Sequence, residues 1–279
     1  MNILPLNTLF AGACILGAMA FVPAAQASLI VSESFDYSSG TLAGANGGTG
    51  WNGAWTAFGT GSNATVQTGS LDYTAGSDDL LTAGNKAYVT TTSGTSGVGR
   101  SLATAFSDAT TQTIYLSFAF NWDEGTRFFG LHLVNDSTAV VEFNKFSGQT
   151  QTSFGIQQNS GGGVTAISTD TTYFVVARID FNASGNDTVR LYVNPASLDT
   201  EPLTASSTYS TASISFNAIR LATGFTSGSV TTAATAFDEI RIGTSYADVV
   251  PSAIPEPASA AALLGVAALG AMGAGRRRR

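Results

Sequence analysis

The sequence predicts an all-β jelly-roll sandwich of two antiparallel sheets, carried between two hydrophobic ends. Three observations predict it. Apolar residues recur at alternate positions along the body, the spacing of strands with one buried face. Gly, Ser, Thr and Asn turns separate these runs at roughly 10-residue intervals, the pattern of sandwiches and barrels. No body segment keeps an apolar repeat at three and four residues, so helix is expected only as a short turn near 245–249. Of 279 residues 44% are hydrophobic and 11% charged, where about 25% charged is usual; a wholly disordered chain and a coiled coil are thereby excluded. The net charge is −7, and the basic residues include the terminal Arg276, Arg277, Arg278 and Arg279, so nucleic acid is not expected as a partner. Cys14 is the only cysteine and His132 the only histidine, which leaves no internal disulfide and no zinc finger.

The elements follow in order. An apolar run from Leu9 to Val22 is too short to span a bilayer and fits the core of a signal peptide. Pro23 breaks it, and Ala25-Gln26-Ala27 supplies the small-x-small pattern that signal peptidase accepts, placing the cut before Ser28. No Lys or Arg precedes the run, so Met1 alone supplies positive charge. Residues 1–27 are therefore read as a signal peptide and 28–250 as the β-sandwich.

Within the body, Ile114, Leu116, Phe118 and Phe120 form one inward set and Phe129, Leu131 and Leu133 another, joined across Asp123-Glu124-Gly125. Val141 with Phe143 adds a strand. The clearest set is Tyr173, Val175, Ala177, Ile179 and Phe181, with Arg178 and Asp180 on the other face. Residues 182–187 are dense in turn formers, and Val189, Leu191 and Val193 then alternate with Arg190 and Tyr192, completing a hairpin that Asn194-Pro195 ends. Ile219 with Leu221, and Ile240 with Ile242, supply further strands. Residues 251–279 form a third region: Pro255-Glu256-Pro257, an Ala/Leu/Gly run over 258–275 long enough for a bilayer core at about 27 Å, and the four arginines, which belong on the cytoplasmic side.

These last residues closely resemble the PEP-CTERM sorting signal of Gram-negative bacteria, in which a Pro-Glu-Pro motif precedes a transmembrane stretch and a basic end. The resemblance implies a transient membrane anchor that an exosortase reads and removes, in a host that makes extracellular polysaccharide; a retained single-pass anchor is the alternative. In the body, Glu33-Ser34-Phe35-Asp36-Tyr37 with Gly47-Gly48-Thr49-Gly50-Trp51-Asn52-Gly53-Ala54-Trp55 looks like the opening of bacterial surface proteins with concanavalin A-like or laminin G-like domains. The hairpin 176–195 resembles their central hairpin, and Phe237-Asp238-Glu239-Ile240-Arg241-Ile242-Gly243 their closing strand, which would pair beside the first.

Candidate chemistry is sparse. Because concanavalin A-like folds include glycoside hydrolases, two facing carboxylates must be sought. Asp78-Asp79, Asp123-Glu124 and Asp238-Glu239 are adjacent pairs, and neighbours on a strand point to opposite faces. All three read as turn and edge acids; Asp238 and Glu239 alternatively serve the closing strand through a turn hydrogen bond or a pair with Arg241. Calcium could use the oxygens of Asn182 to Asp187, which read equally as a hairpin turn, and no Asp-x-Asp-x-Asp-Gly string is present. His132 points away from Leu131 and Leu133 and reads as an ordinary sheet residue. Trp51 and Trp55 could stack a sugar or cover one end of the core, and Tyr192 or Trp122 could join a sugar platform. The sequence thus points to an exported, non-catalytic surface or matrix protein that meets signal peptidase and exosortase on its way out and binds no cofactor. A calcium-assisted, lectin-like module is the alternative, and a glycoside hydrolase a third reading.

Overall fold

The computed structural model describes residues 28–59, 62–92, 94–123, 128–145, 153–157, 164–224 and 233–252. The signal-peptide reading over 1–27, with Ala25 and Ala27, lies outside the described residues. So does the sorting-signal reading, from Pro255, Glu256 and Pro257 over the apolar run 258–275 to Arg276, Arg277, Arg278 and Arg279. Among the described residues no helix is long and apolar enough to cross a membrane.

In chain order the strands are β1 (Leu29–Glu33), β2 (Gly40–Thr41), β3 (Trp51–Phe58), β4 (Ser62–Gln67), β5 (Thr74–Ala75), β6 (Asp78–Asp79), β7 (Lys86–Thr91), β8 (Thr95–Ser107) and β9 (Gln112–Trp122), then β10 (Phe128–Asn135), β11 (Thr138–Lys145), β12 (Ser153–Ile156), β13 (Thr165–Ala166), β14 (Tyr173–Phe181), β15 (Asp187–Val193), β16 (Ser207–Thr211), β17 (Ser215–Gly224) and β18 (Ala233–Gly243). A single turn of helix, α1 (Tyr246–Val249), follows where expected. Ser245 caps it, accepting the Asp248 amide, while the Asp248 carboxylate takes the Ser245 amide at 2.7 Å.

The described residues are all-β, with two main antiparallel sheets and a separate two-stranded ribbon of β5 and β6. The larger runs β16-β15-β14-β9-β18-β7-β4-β2, with β1 also on β18; the smaller runs β13-β12-β11-β10-β17-β8-β3. As the sequence predicted, the closing strand lies beside the first, Glu33 opposite Ile240. The chain crosses repeatedly between sheets: β9 lies in the larger sheet and β10, next in chain order, in the smaller. The alternating apolar sets meet in one interior: Phe118 of β9 lies 6.4 Å from Phe143 of β11, and Phe120 of β9 5.0 Å from Phe129 of β10. Each fully buried side chain of this size contributes about 1.5–3 kcal/mol.

The outer face of the larger sheet carries a second apolar layer. Tyr115, Phe174, Val176, Tyr192 and Ala236 project there beneath Leu71 and Leu80, Leu198, and Tyr246 with Val249 of α1. Asp238 and Glu239 fasten this layer; both are buried, which corrects their reading as solvated turn or edge acids on opposite faces, while the alternative pairing with Arg241 is met at Glu239. A bulge between Asp238 and Arg241 adds one residue to β18, with Glu239 at φ 50°. Both carboxylates therefore serve the same excursion: Asp238 accepts the Leu71 amide at 2.8 Å, Glu239 the Ala83 amide at 2.7 Å, and Glu239 pairs with Arg241 at 2.9 Å.

Candidate functional site

Among the described residues, three polar clusters hold side chains that could bind or react. The first grows from the opening motif. Gly48 and Gly50 take φ +68° and +80°, and a Cβ on Gly48 would stand 2.3 Å from the Ser32 carbonyl oxygen. Glycine lets the loop press against β1, where the Trp51 indole donates to that oxygen at 3.0 Å. Glu33, facing inward beside Val31, then collects the Phe35 amide at 2.9 Å, the Tyr37 hydroxyl at 2.7 Å and the Trp55 indole at 3.1 Å. Arg100 enters from β8. It donates to Glu33 at 2.6 Å, to Asn46 at 2.6 Å and to the Gly53 carbonyl at 2.8 Å, and its guanidinium lies 5.0 Å from the centre of the Trp51 ring. Burial, with the hydrogen bond to Glu33, pushes the Tyr37 hydroxyl up to about 12. Trp55 is 1% exposed and stacks on Phe35 at 5.8 Å, so its ring has no face left for a sugar. Trp51, half-buried, lies 5.6 Å away.

Tyr192 lies on the outer face of the larger sheet, apart from both tryptophans. It shares that face with Arg190, as its alternation implied, yet the segment carrying Leu198 and Glu201 packs over it and leaves it 4% exposed. Its hydroxyl donates to Glu201 at 2.7 Å, as does that of Tyr115. Arg178 bridges Asp180 at 2.9 Å and Glu201 at 3.3 Å, and Arg190 pairs with Asp180. Burial by itself would raise both carboxyls; the Thr113 hydroxyl and two arginines outweigh it at Asp180, and two tyrosines and Arg178 outweigh it at Glu201, so both stay below the usual range. Burial and the neighbouring carboxylate push Tyr115 up to about 12 and raise Tyr192 as well. Acids held ionised between arginines and tyrosines fasten a loop; they carry no proton to give at neutral pH.

The third cluster is on the outer face of the smaller sheet, where His132 of β10 lies between Arg220 of β17 and Glu142 of β11. Asn144 reaches across Gly130, whose absent Cβ would stand 1.7 Å from the Asn144 Oδ1. Since the Asn144 amide donates to Glu142 at 2.9 Å, its oxygen faces His132, and the His132 Nε2 donates to it at 2.9 Å. Burial lowers the imidazole below its ordinary value; Glu142 and Asn144 oppose that, and Arg220 adds to it. His132 is thus neutral at pH 7, with its lone pair on Nδ1. Arg220 donates to the Ser137 carbonyl at 2.9 Å and lies 5.1 Å from the Phe58 ring centre. The sequence marked His132 but missed Arg220, Glu142 and Asn144, because only the sheet order brings these strands together.

The calcium candidate at 182–187 is a hairpin turn. The Asp187 carboxylate accepts the Asn182 amide at 2.7 Å and the Ile214 amide at 2.5 Å, and Asn182 accepts the Ser184 amide. Among the described residues no three His, Cys, Asp or Glu side chains gather.

No family model matches the sequence, and no curated protein matches it. Solved structures similar to the chain include an endo-β-1,4-glucuronan lyase from the fungus Trichoderma reesei, at 13% identity and TM-score 0.44, over 67% of this chain and 90% of that one. An alginate lyase from Corynebacterium sp. is 13% identical with TM-score 0.40, over 61% and 82%. The CBM22-1 xylan-binding domain from Paenibacillus barcinonensis Xyn10C is 12% identical with TM-score 0.32, over 77% and 94%. Likeness at this level bears on neither activity nor ligand.

Proposed function

We propose that the protein is an exported component of a Gram-negative cell surface or extracellular polysaccharide matrix, sorted by an exosortase, with a concanavalin A-like jelly-roll body that is structural or adhesive rather than catalytic. The sorting half rests on the order Pro255-Glu256-Pro257, apolar run, arginine cluster. In this reading signal peptidase cuts before Ser28, the 258–275 helix holds the body outside the inner membrane, and the exosortase releases it.

One observation carries the non-catalytic half: the carboxylates at the clusters are fastenings. Glu33 closes the core against Arg100, Asp187 ties the 182–187 turn to Ile214, Asp238 and Glu239 hold the 71–83 excursion, and Glu201 clasps two tyrosines. A calcium-assisted, lectin-like module is the second reading, for which half-buried Trp51 is the aromatic candidate that keeps part of its surface open.

The test is co-sedimentation of the secreted protein with neutral and acidic polysaccharides, with calcium and with chelator, alongside an assay for new reducing or unsaturated ends. The structural or adhesive reading expects no cleavage, and retention by the host's own matrix that is insensitive to calcium. Calcium-dependent retention lost in Trp51→Ala would move the assignment to the lectin-like reading. New chain ends would overturn both.

A further inference from the structure

Among the described residues, three buried side-chain atoms at one end of the sandwich have no hydrogen-bond partner: Ser96 Oγ, Trp122 Nε1 and Thr235 Oγ1. The three residues are 0%, 5% and 0% exposed. All project between the sheets, since Ser96 alternates with Val98, Trp122 with Phe120, and Thr235 with Phe237.

Register places two of them side by side and the third in the facing sheet. Trp122 and Thr235 are directly opposed on β9 and β18. In the facing sheet Lys145, Phe129, Thr223 and Ser96 form one row across β11, β10, β17 and β8. The two rows meet where Trp122 stacks on Phe129 at 5.9 Å, with the Lys145 ammonium 5.0 Å from the centre of the indole. Away from the Glu33–Arg100 pair the neighbouring interior is largely apolar, and hydroxyls, an indole N–H and a cation collect at the end where β7 leads to β8, β9 to β10 and β17 to β18.

A buried polar atom without a partner is costly, and interiors provide partners for nearly all of them. The indole N–H can only donate, and both hydroxyls can donate, so the missing partner is an acceptor small enough to lie between two sheets. We infer that this end of the interior binds a small hydrogen-bond acceptor, a water molecule or a monovalent anion such as chloride, held by Ser96, Trp122 and Thr235. The site is independent of the functional proposal above.

The sign of a stability change tests it. Thr235→Val and Ser96→Ala remove a hydroxyl with little change of shape. If the hydroxyls bind an acceptor, each variant melts several degrees below the parent protein; if they are partnerless, removal relieves a burial cost and Tm stays level or rises, which overturns the inference. Melting the parent in sodium chloride, bromide and gluconate at equal ionic strength separates the sources. A Tm raised by halide and not by gluconate identifies an anion, and a halide-independent Tm identifies water. The Trp122 indole proton, read by NMR in the parent protein, is a second readout that needs no variant. A downfield, slowly exchanging signal is expected, and the shift of a non-hydrogen-bonded indole contradicts the site.

Discussion

Arg100 and Glu33 form an ion pair inside the sandwich, 2.6 Å apart with both side chains 1% exposed. The tyrosine, the tryptophan indole and the Phe35 amide on Glu33 leave that carboxylate well solvated by protein, and Arg100 supplies the charge that balances it.

Breaking that pair from one side is expected to be costly. Arg100→Ala strands a buried carboxylate and should lose about 3–5 kcal/mol in urea unfolding. Adding Glu33→Gln to that variant should recover part of the loss, because the two residues share one network. A loss under about 1 kcal/mol for the single variant would mean that water already reaches Glu33.

Asp238 gives a pH dependence of one sign. Burial raises its carboxyl from 3.8 to about 8, against the pull of two backbone amides. The folded state therefore holds a proton that the unfolded chain releases, and the associated stability is full below 3.8 and lost as pH rises through about 8. The protection factor of the Leu71 amide, its exchange rate corrected for intrinsic base catalysis, should fall from pH 5 to pH 8. Asp238→Asn should flatten this trend while weakening the tether, since the amide offers one acceptor where the carboxylate offers two.

Glu201 gives the opposite sign. Its carboxyl lies below the usual range, so its contribution is present above the unfolded value and lost as pH falls through and below the ordinary carboxylate range. Tyr192→Phe removes one of its two phenol donors. It should lower stability by about 1.5–3 kcal/mol at pH 7, and by less once Glu201 is protonated. Equal losses at pH 7 and at a pH acid enough to protonate Glu201 would contradict the assignment.

Much of the fold was legible because its central strands alternate cleanly. Phe118, Phe143, Val175, Leu191, Leu221 and Ile242 all lie in the interior as their spacing implied. Strand β8 was hidden for a physical reason: its inward positions include Ser96 and Arg100, so no apolar alternation marks it. The site residues were less legible still. Trp51, Trp55 and Tyr192 were marked as aromatic, but their burial depends on Glu33, Arg100 and Glu201, distant in sequence. Asp238 and Glu239 were assigned to opposite faces because strand alternation was applied through a bulge that no residue type announces.

His132 responds to its two charged neighbours in opposite directions. Glu142→Gln removes the charge that raises its titration and should lower it further, whereas Arg220→Met should raise it. A nitrogen-15 NMR titration of the single imidazole reads both. A shared direction would show that neither charge acts on the ring.

Export and release are the centre of the account, and one fractionation tests them directly. The full chain and its Pro255→Ala, Glu256→Ala, Pro257→Ala variant would be expressed in a Gram-negative host carrying an exosortase. Membrane and extracellular fractions would be followed by immunoblot, and the termini of the released protein read by mass spectrometry. The account expects the parent chain outside the cell, starting at Ser28 and lacking Arg276–Arg279, and the variant held in the membrane with those arginines intact. Release of both chains alike, or an extracellular parent that still carries its arginines, would contradict it.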